Sequence, residues 1–349
     1  MENKHYYSID VIRLIACILV VFIHSKFPGT TGDIIQALAR FGVPVFFVIS
    51  GYFLLKDNTY TASDIRKQML NKIKKLLPVI FCIWLFYTLY SLSVYLSDGD
   101  SLADWVSDKF NLFEFSRLIL FNSGKFIYDF SYTFDHLWFL FALLYVYILV
   151  FIFAPFLRKW AGYLVVILLS FLFLGEMLRI YYPIRPFGIG ISTWYVTRNW
   201  LFEGVPFMML GFVFREYEEK IKLISSKMAG ILFLIAGFLF TIVEYYIWGV
   251  KEIYLGSVFL VIGAMNLSLY FKYAKDSFIS TMGRDLSALI YYFHVFIISV
   301  FDRICDDHIF VTSQRPDVFW MLKPVFVLVF TFAFSCIFDK LRKLIKKSK

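Results

Sequence analysis

Arg13 and His24 are the polar pair that best predicts chemistry, because both lie in an apolar segment of the sequence. They stand eleven residues apart, so in a helix they fall within about 20° of the same face and about 16 Å apart along the axis. An arginine can bind an anionic group, and a neutral histidine can accept a proton. The pair therefore predicts an anion site and a general base. The structural alternative pairs Arg13 with Asp10 and makes His24 a hydrogen-bonded core residue.

Three lysines form a second candidate site. Lys72, Lys74 and Lys75 come just before Pro78 and a long apolar run, so we expect them directly below the start of a helix. Lysines in that position can hold the phosphates of a cytosolic cofactor. They can equally be basic anchors that orient the segment in a membrane.

Single polar residues interrupt other apolar runs. Ser50 follows Pro44, which breaks helical hydrogen bonding, so this run predicts either a cavity wall or a close packing contact. His136 and Trp138 open a run at its predicted outer boundary, where an aromatic belt explains the tryptophan but not the histidine. His294 lies in the middle of a later run, where a core histidine bonded to a neighbouring helix is the simpler interpretation.

The elements that position these residues follow from composition. Of the 349 residues, 60% are hydrophobic and 17% are charged, against roughly 45–50% and about 25% in a soluble domain. These values exclude a soluble globular domain, a disordered chain and a disulfide scaffold. Ten apolar runs are candidate membrane spans. They cover residues 9–27, 38–55, 77–97, 136–157, 160–180, 199–214, 228–248, 253–271, 286–303 and 318–338.

The distribution of charge predicts orientation. Most of the 35 Lys and Arg residues fall in segments that are cytoplasmic if both termini are inside, and residues 98–135 on the other side are acidic. The sequence thus predicts an all-α integral membrane bundle of about ten helices, a single domain over residues 1–349. The net charge of +9 predicts contact of the basic residues with the anionic surface of the lipid bilayer rather than with nucleic acid. Scattered histidines and cysteines predict no metal site and no disulfide.

Four motifs, in order, resemble the acyltransferase-3 family of bacterial integral-membrane acyltransferases. Arg13 to His24 resembles the family's Arg-x10-His first helix, and residues 43–53 resemble its Pro-hydrophobic-Phe-Phe-Ser-Gly-Phe helix. His136-Leu-Trp138-Phe and Tyr291-Tyr-Phe-His294 resemble two later motifs. The resemblance covers essentially the whole chain. The stretch 197–207 is also similar to the membrane half of membrane-bound serine racemases, although no pyridoxal-enzyme domain follows it here.

The resemblance implies an acyltransferase of the bacterial plasma membrane. It would move an acyl group, commonly acetyl, from cytosolic acetyl-CoA or another acyl-CoA to a hydroxyl of a cell-envelope glycan or related molecule. His24 would be the general base, and Arg13, about 16 Å away along the same helix face, would be the second catalytic residue. The donor phosphates would be held by Lys72, Lys75 and Arg13. The substrate-side candidates are His136, Trp138, His294, Glu203 and Ser50. Lysines stand at positions 72, 74 and 75 where the family usually carries arginines, and lysine lacks the bidentate fork for phosphate.

A multi-span transporter or flippase for a small polar solute or glycan precursor is the competing hypothesis. Ten spans, an interrupted helix and acids such as Glu203 and Glu244 within apolar runs would all suit a solute or proton pathway. The four family-like motifs and the lack of a visible internal repeat favour the enzyme instead.

Overall fold

Helices make up nearly all of the described chain, and the described residues contain no strand. The computed structural model describes residues 5–55, 60–127, 136–181, 196, 198–224, 226–271, 275–307 and 316–347. The α-helices are α1 (Tyr7–His24), α2 (Gly29–Ala39), α3 (Gly42–Tyr52), α4 (Ala62–Ser97), α5 (Leu102–Lys109), α6 (Leu112–Phe121), α7 (Trp138–Ile152), α8 (Leu157–Tyr181), α9 (Val205–Glu216), α10 (Glu218–Ile224), α11 (Lys227–Trp248), α12 (Leu255–Tyr270), α13 (Phe278–Asp307) and α14 (Pro316–Lys347).

Each of the ten predicted spans falls largely within a helix or a helix pair, although several of these helices begin earlier than predicted. By length and composition, seven of those in the described residues could cross a membrane: α1, α2 with α3, α4, α8, α11, α13 and α14. Two shorter apolar helices, α7 and α12, match two further predicted spans. The remaining predicted span, residues 199–214, forms one turn of π-helix (Trp200–Gly204) that runs into α9. The prediction of a polytopic all-α membrane protein is confirmed.

The interruption predicted at Pro44 lies slightly earlier in the chain. Helix α2 ends at Ala39 and α3 begins at Gly42, so the break falls at residues 40–41. Pro44 then occupies the first turn of α3, where its missing N–H leaves no helical hydrogen bond unmade. The proline therefore lies at the start of α3 and does not break a helix.

Contacts between Cα atoms divide the chain into two compact units. The first consists of Met1–Phe46 and Glu219–Lys349, and the second is Phe47–Glu218. In the first unit, α1 packs along α13, α11 along α12, and α13 against α14. A Cβ atom on Gly283 of α13 would lie 1.9 Å from the carbonyl oxygen of Asp10, so the backbones of α1 and α13 meet directly. The proposed single domain over 1–349 stays a prediction.

In the second unit, α4 packs against α7 and α8 against α9. Helices α3 and α9 cross through two glycines. A Cβ on Gly51 would lie 1.9 Å from the carbonyl oxygen of Met208, and one on Gly211 would lie 1.9 Å from that of Val48. No side chain fits at either position unless the two helices separate. The crossing therefore needs both glycines.

We expect Gly211→Ala to destabilise the second unit, because overpacking of this kind costs about 1–3 kcal/mol or more. The measurement is the thermal unfolding midpoint of purified protein in detergent. Gly162→Ala on α8 is the matched control, since a Cβ there meets nothing within 4 Å. It should leave the midpoint unchanged or raise it, because alanine favours a helix interior over glycine by about 0.5–1 kcal/mol. Equal midpoints for the two variants would contradict the tight crossing.

Candidate active site

Arg13 and His24 lie on one uninterrupted helix, α1, which runs from Tyr7 to His24. Buried Cys17 falls between them on the same face, and Ile15, on the opposite side, is 45% exposed. The face that carries Arg13 and His24 is thus the packed face of α1. In the first unit this face meets α13, where the Cys17 thiol donates a 3.1 Å hydrogen bond to the carbonyl oxygen of Ser287.

The structure brings His24 and His294 together. Their ring centroids are 5.1 Å apart, and the ring planes are tilted by 55°. His294 is completely buried, whereas His24, the last residue of α1, is half-buried. Of the two imidazoles, His24 is the more accessible to a substrate.

The hydrogen bonds of His294 determine which of its nitrogens carries the proton. Its Nδ1 lies 2.8 Å from the carbonyl oxygen of Tyr291 and 3.1 Å from that of Ile290. A carbonyl oxygen can only accept, so Nδ1 carries the hydrogen and Nε2 is the basic nitrogen of the neutral ring. Both acceptors belong to the preceding turn of α13, which holds the ring in a fixed orientation. His294 is therefore placed as an oriented imidazole beside His24.

Arg13 makes the contact that the structural alternative predicts. Its Nη1 donates to Asp10 Oδ1 at 2.7 Å, one turn earlier on α1. Asp10 is buried and also bonds to His5 through its other oxygen. The charge of Arg13 is thus matched by a carboxylate, and an anionic ligand must compete with Asp10 or bind alongside it.

Lys72 differs from the two lysines that follow it. Its ammonium donates to the carbonyl oxygen of Ser50 at 3.2 Å and lies 5.3 Å from the ring centroid of Tyr147. It is half-buried, whereas Lys74 and Lys75 are exposed. The structure brings Lys72 and Ser50 together, and it leaves Lys75 on the exposed side of α4. A cation at the last turn of α3 also stabilises that helix through its dipole.

The sequence predicts that the three lysines lie just before the start of a helix. In the structure they lie inside α4 instead. This helix begins at Ala62, sixteen residues before Pro78. It starts with a capping box in which Thr61 and Asp64 bond each other's backbone N–H groups. The helix passes through Pro78 without ending, so hydropathy marked only the apolar part of a longer element.

His136 and Trp138 both lie in the second unit. His136 is buried, with its ring 4.8 Å from that of Tyr87 on α4. The guanidinium carbon of Arg198 lies 5.2 Å from the ring centroid of Trp138, which is a cation–π contact. Tyr87 was not a sequence candidate, because a tyrosine inside an apolar run carries no signal of its own.

Glu203 and Glu244, the two acids of the transporter hypothesis, have different surroundings. Glu203 is buried in the π-turn that Asn199 caps. Glu244 accepts hydrogen bonds from the backbone N–H groups of Leu255 and Gly256 and pairs with Lys251 at 2.9 Å. It therefore caps the start of α12, and this structural role explains a buried carboxylate without any proton pathway.

Comparisons with known proteins identify the family of this chain. A family model described as an acyltransferase domain matches residues 6–340, nearly the whole chain. The serine/alanine racemase of Enterococcus gallinarum is 36% identical over 106 residues, which cover 27% of this chain and only 14% of that racemase. No solved structure matches. A match of this extent, on a helical membrane protein, shows that the chain belongs to the acyltransferase-3 family of membrane acyltransferases.

Proposed function

We propose that this membrane acyltransferase transfers an acyl group, acetyl above all, from a cytosolic acyl-CoA to a hydroxyl of a cell-envelope glycan in the bacterial plasma membrane. The observation that carries the proposal is the pair of His24 and His294, 5.1 Å apart on two packed helices. Ester formation from a thioester needs a base at the acceptor hydroxyl, and a pair of packed imidazoles, one of them oriented by two carbonyl oxygens, can provide one.

In this mechanism His24 is the general base. One of its ring nitrogens takes the proton of the acceptor hydroxyl while the oxygen attacks the thioester carbonyl carbon. The tetrahedral intermediate then collapses, the carbon–sulfur bond breaks, and the departing thiolate takes the proton back from His24. The products are an ester and free coenzyme A. His294 is the positioning residue, because its ring packs against that of His24 and is held by two carbonyl oxygens.

Lys72, Lys75 and Arg13 are the proposed phosphate ligands for the donor. Lys72 has the strongest support, because it is half-buried and held at Ser50. A partly desolvated ammonium attracts phosphate more strongly than an exposed one. Lys75 is exposed, and Arg13 is paired with Asp10, so each is expected to contribute less than Lys72.

The proposed activity can be tested with protein reconstituted in nanodiscs, supplied with ¹⁴C-acetyl-CoA and with glycans extracted from the bacterial envelope. We expect release of free thiol that depends on the acceptor, and label in a product from which mild base removes acetate. Boiled protein and nanodiscs without protein are the controls. Thiol release without labelled glycan would exclude the glycan acceptor. No release with acetyl-, propionyl- or succinyl-CoA would contradict the acyl-CoA donor.

A further inference from the structure

The second unit contains an apolar cavity of about 530 Å³. Its walls come from α7, α8, the π-turn and the start of α9, and every one of its thirteen lining residues is Val, Leu, Phe, Met or Trp. None of the candidate site residues lines it. A cavity of this composition has no set of polar partners to hold water.

The cavity is a slot that runs along the helices. On α8 its lining extends from Leu157 to Leu168, which corresponds to about 16 Å of helix. Near the turn between α7 and α8 three lining side chains, Phe153, Phe156 and Trp160, are between 46% and 55% exposed. The slot therefore opens at this turn, beside a helix that is long and apolar enough to cross the bilayer.

The turn at the mouth also carries two cations. Arg158 is already paired with Glu216 at 2.7 Å. Lys159 is exposed, and its ammonium lies 5.5 Å from the ring centroid of Trp160. A cation and a tryptophan at the end of an apolar slot match the two parts of an anionic lipid, because phosphate meets the ammonium and hydrocarbon enters the slot.

We propose that this cavity is a binding site for one acyl chain of an anionic phospholipid, with the lipid phosphate at Lys159. The predicted orientation places the α7–α8 turn at the cytoplasmic leaflet, where anionic lipids concentrate. A bound chain fills the space between α7, α8 and α9 that would otherwise be an apolar void, and so supports the packing of the second unit. The proposal is independent of the acyl-transfer mechanism.

Native mass spectrometry of protein released from nanodiscs of phosphatidylglycerol and phosphatidylethanolamine tests the site. We expect the wild-type protein to retain one phosphatidylglycerol molecule. The Leu164→Trp variant should lose this lipid, because the tryptophan fills the cavity. Val166→Trp is the matched control, because Val166 lies on α8 but is 66% exposed and outside the cavity. It should retain the lipid. Lys159→Gln should reduce the preference for phosphatidylglycerol over phosphatidylethanolamine by about fivefold.

A photolabelling experiment on the wild-type protein decides the question if Leu164→Trp does not fold. Phosphatidylglycerol with a diazirine in its acyl chain should label the α7–α8 peptides, and unlabelled phosphatidylglycerol should compete that labelling away at saturation. The proposal would be overturned if unlabelled phosphatidylglycerol reduced the labelling of the α7–α8 peptides no more than that of α11. Equal lipid retention by the Leu164→Trp and Val166→Trp variants would also overturn it. A dimer that excludes lipid from the slot would show instead that a second copy of the chain covers it.

Discussion

Replacement of His24 by Gln should lower acyl transfer by about 10²–10⁴-fold, the usual contribution of a general base. Glutamine keeps much of the size and polarity of the side chain but cannot take a proton at neutral pH. The half-buried position of His24, at the end of α1, suits contact with an acceptor hydroxyl. The measurement is labelled ester formed per protein in nanodiscs, with expression and monodispersity matched to those of the wild type.

His294→Gln is the informative comparison, because the same chemical change is made 5.1 Å away. His294 is completely buried, so we expect a smaller loss of activity. The pH profile separates the two roles. A base must be neutral to accept a proton, so activity should fall at acidic pH. That acid limb should persist in His294→Gln and be missing from the residual activity of His24→Gln. The reverse pattern would assign the base to His294, and activity above about a tenth in both would refute the mechanism.

Lys72→Gln should raise the KM for acyl-CoA by about 10- to 100-fold, because it removes a charge-assisted hydrogen bond to phosphate. The loss in affinity for acyl-CoA should be larger at low salt, where the charge of this half-buried cation is least screened. Steady-state kinetics with acetyl-CoA at two ionic strengths measure both effects.

Lys75→Gln is the matched control, one turn further along α4 and exposed. It should change the KM by less than threefold. Because Lys72 also bonds the carbonyl oxygen of Ser50, the thermal unfolding midpoint must be measured for both variants. A lower midpoint with an unchanged KM would show that Lys72 only supports the end of α3. Equal increases in KM for the two variants would show that the lysines attract acyl-CoA through their shared surface charge and not through a specific site at Lys72.

Local features of the sequence predicted the helices well. Mean composition over each apolar run is a local property, so all ten predicted spans fall on helices, although not with the same bounds. The shared face of Arg13 and His24 follows from helical periodicity alone, and α1 is continuous across both. One readable signal was missed. Thr61 and Asp64 have the spacing of a capping box, which marks the true start of α4 sixteen residues before Pro78.

Only the tertiary structure decided which polar residues share a site. His294 lies 270 residues from His24, and no spacing rule links positions on two helices whose register depends on packing, here the contact of Gly283 with the backbone of Asp10. The difference between Lys72 and Lys75 likewise depends on which side of α4 faces its neighbours, where Lys72 meets Ser50. Hydropathy determines that an apolar run forms a helix in a membrane, because lipid leaves the backbone no other partners. The contacts between side chains on different helices depend on crossing geometry, which no single run contains.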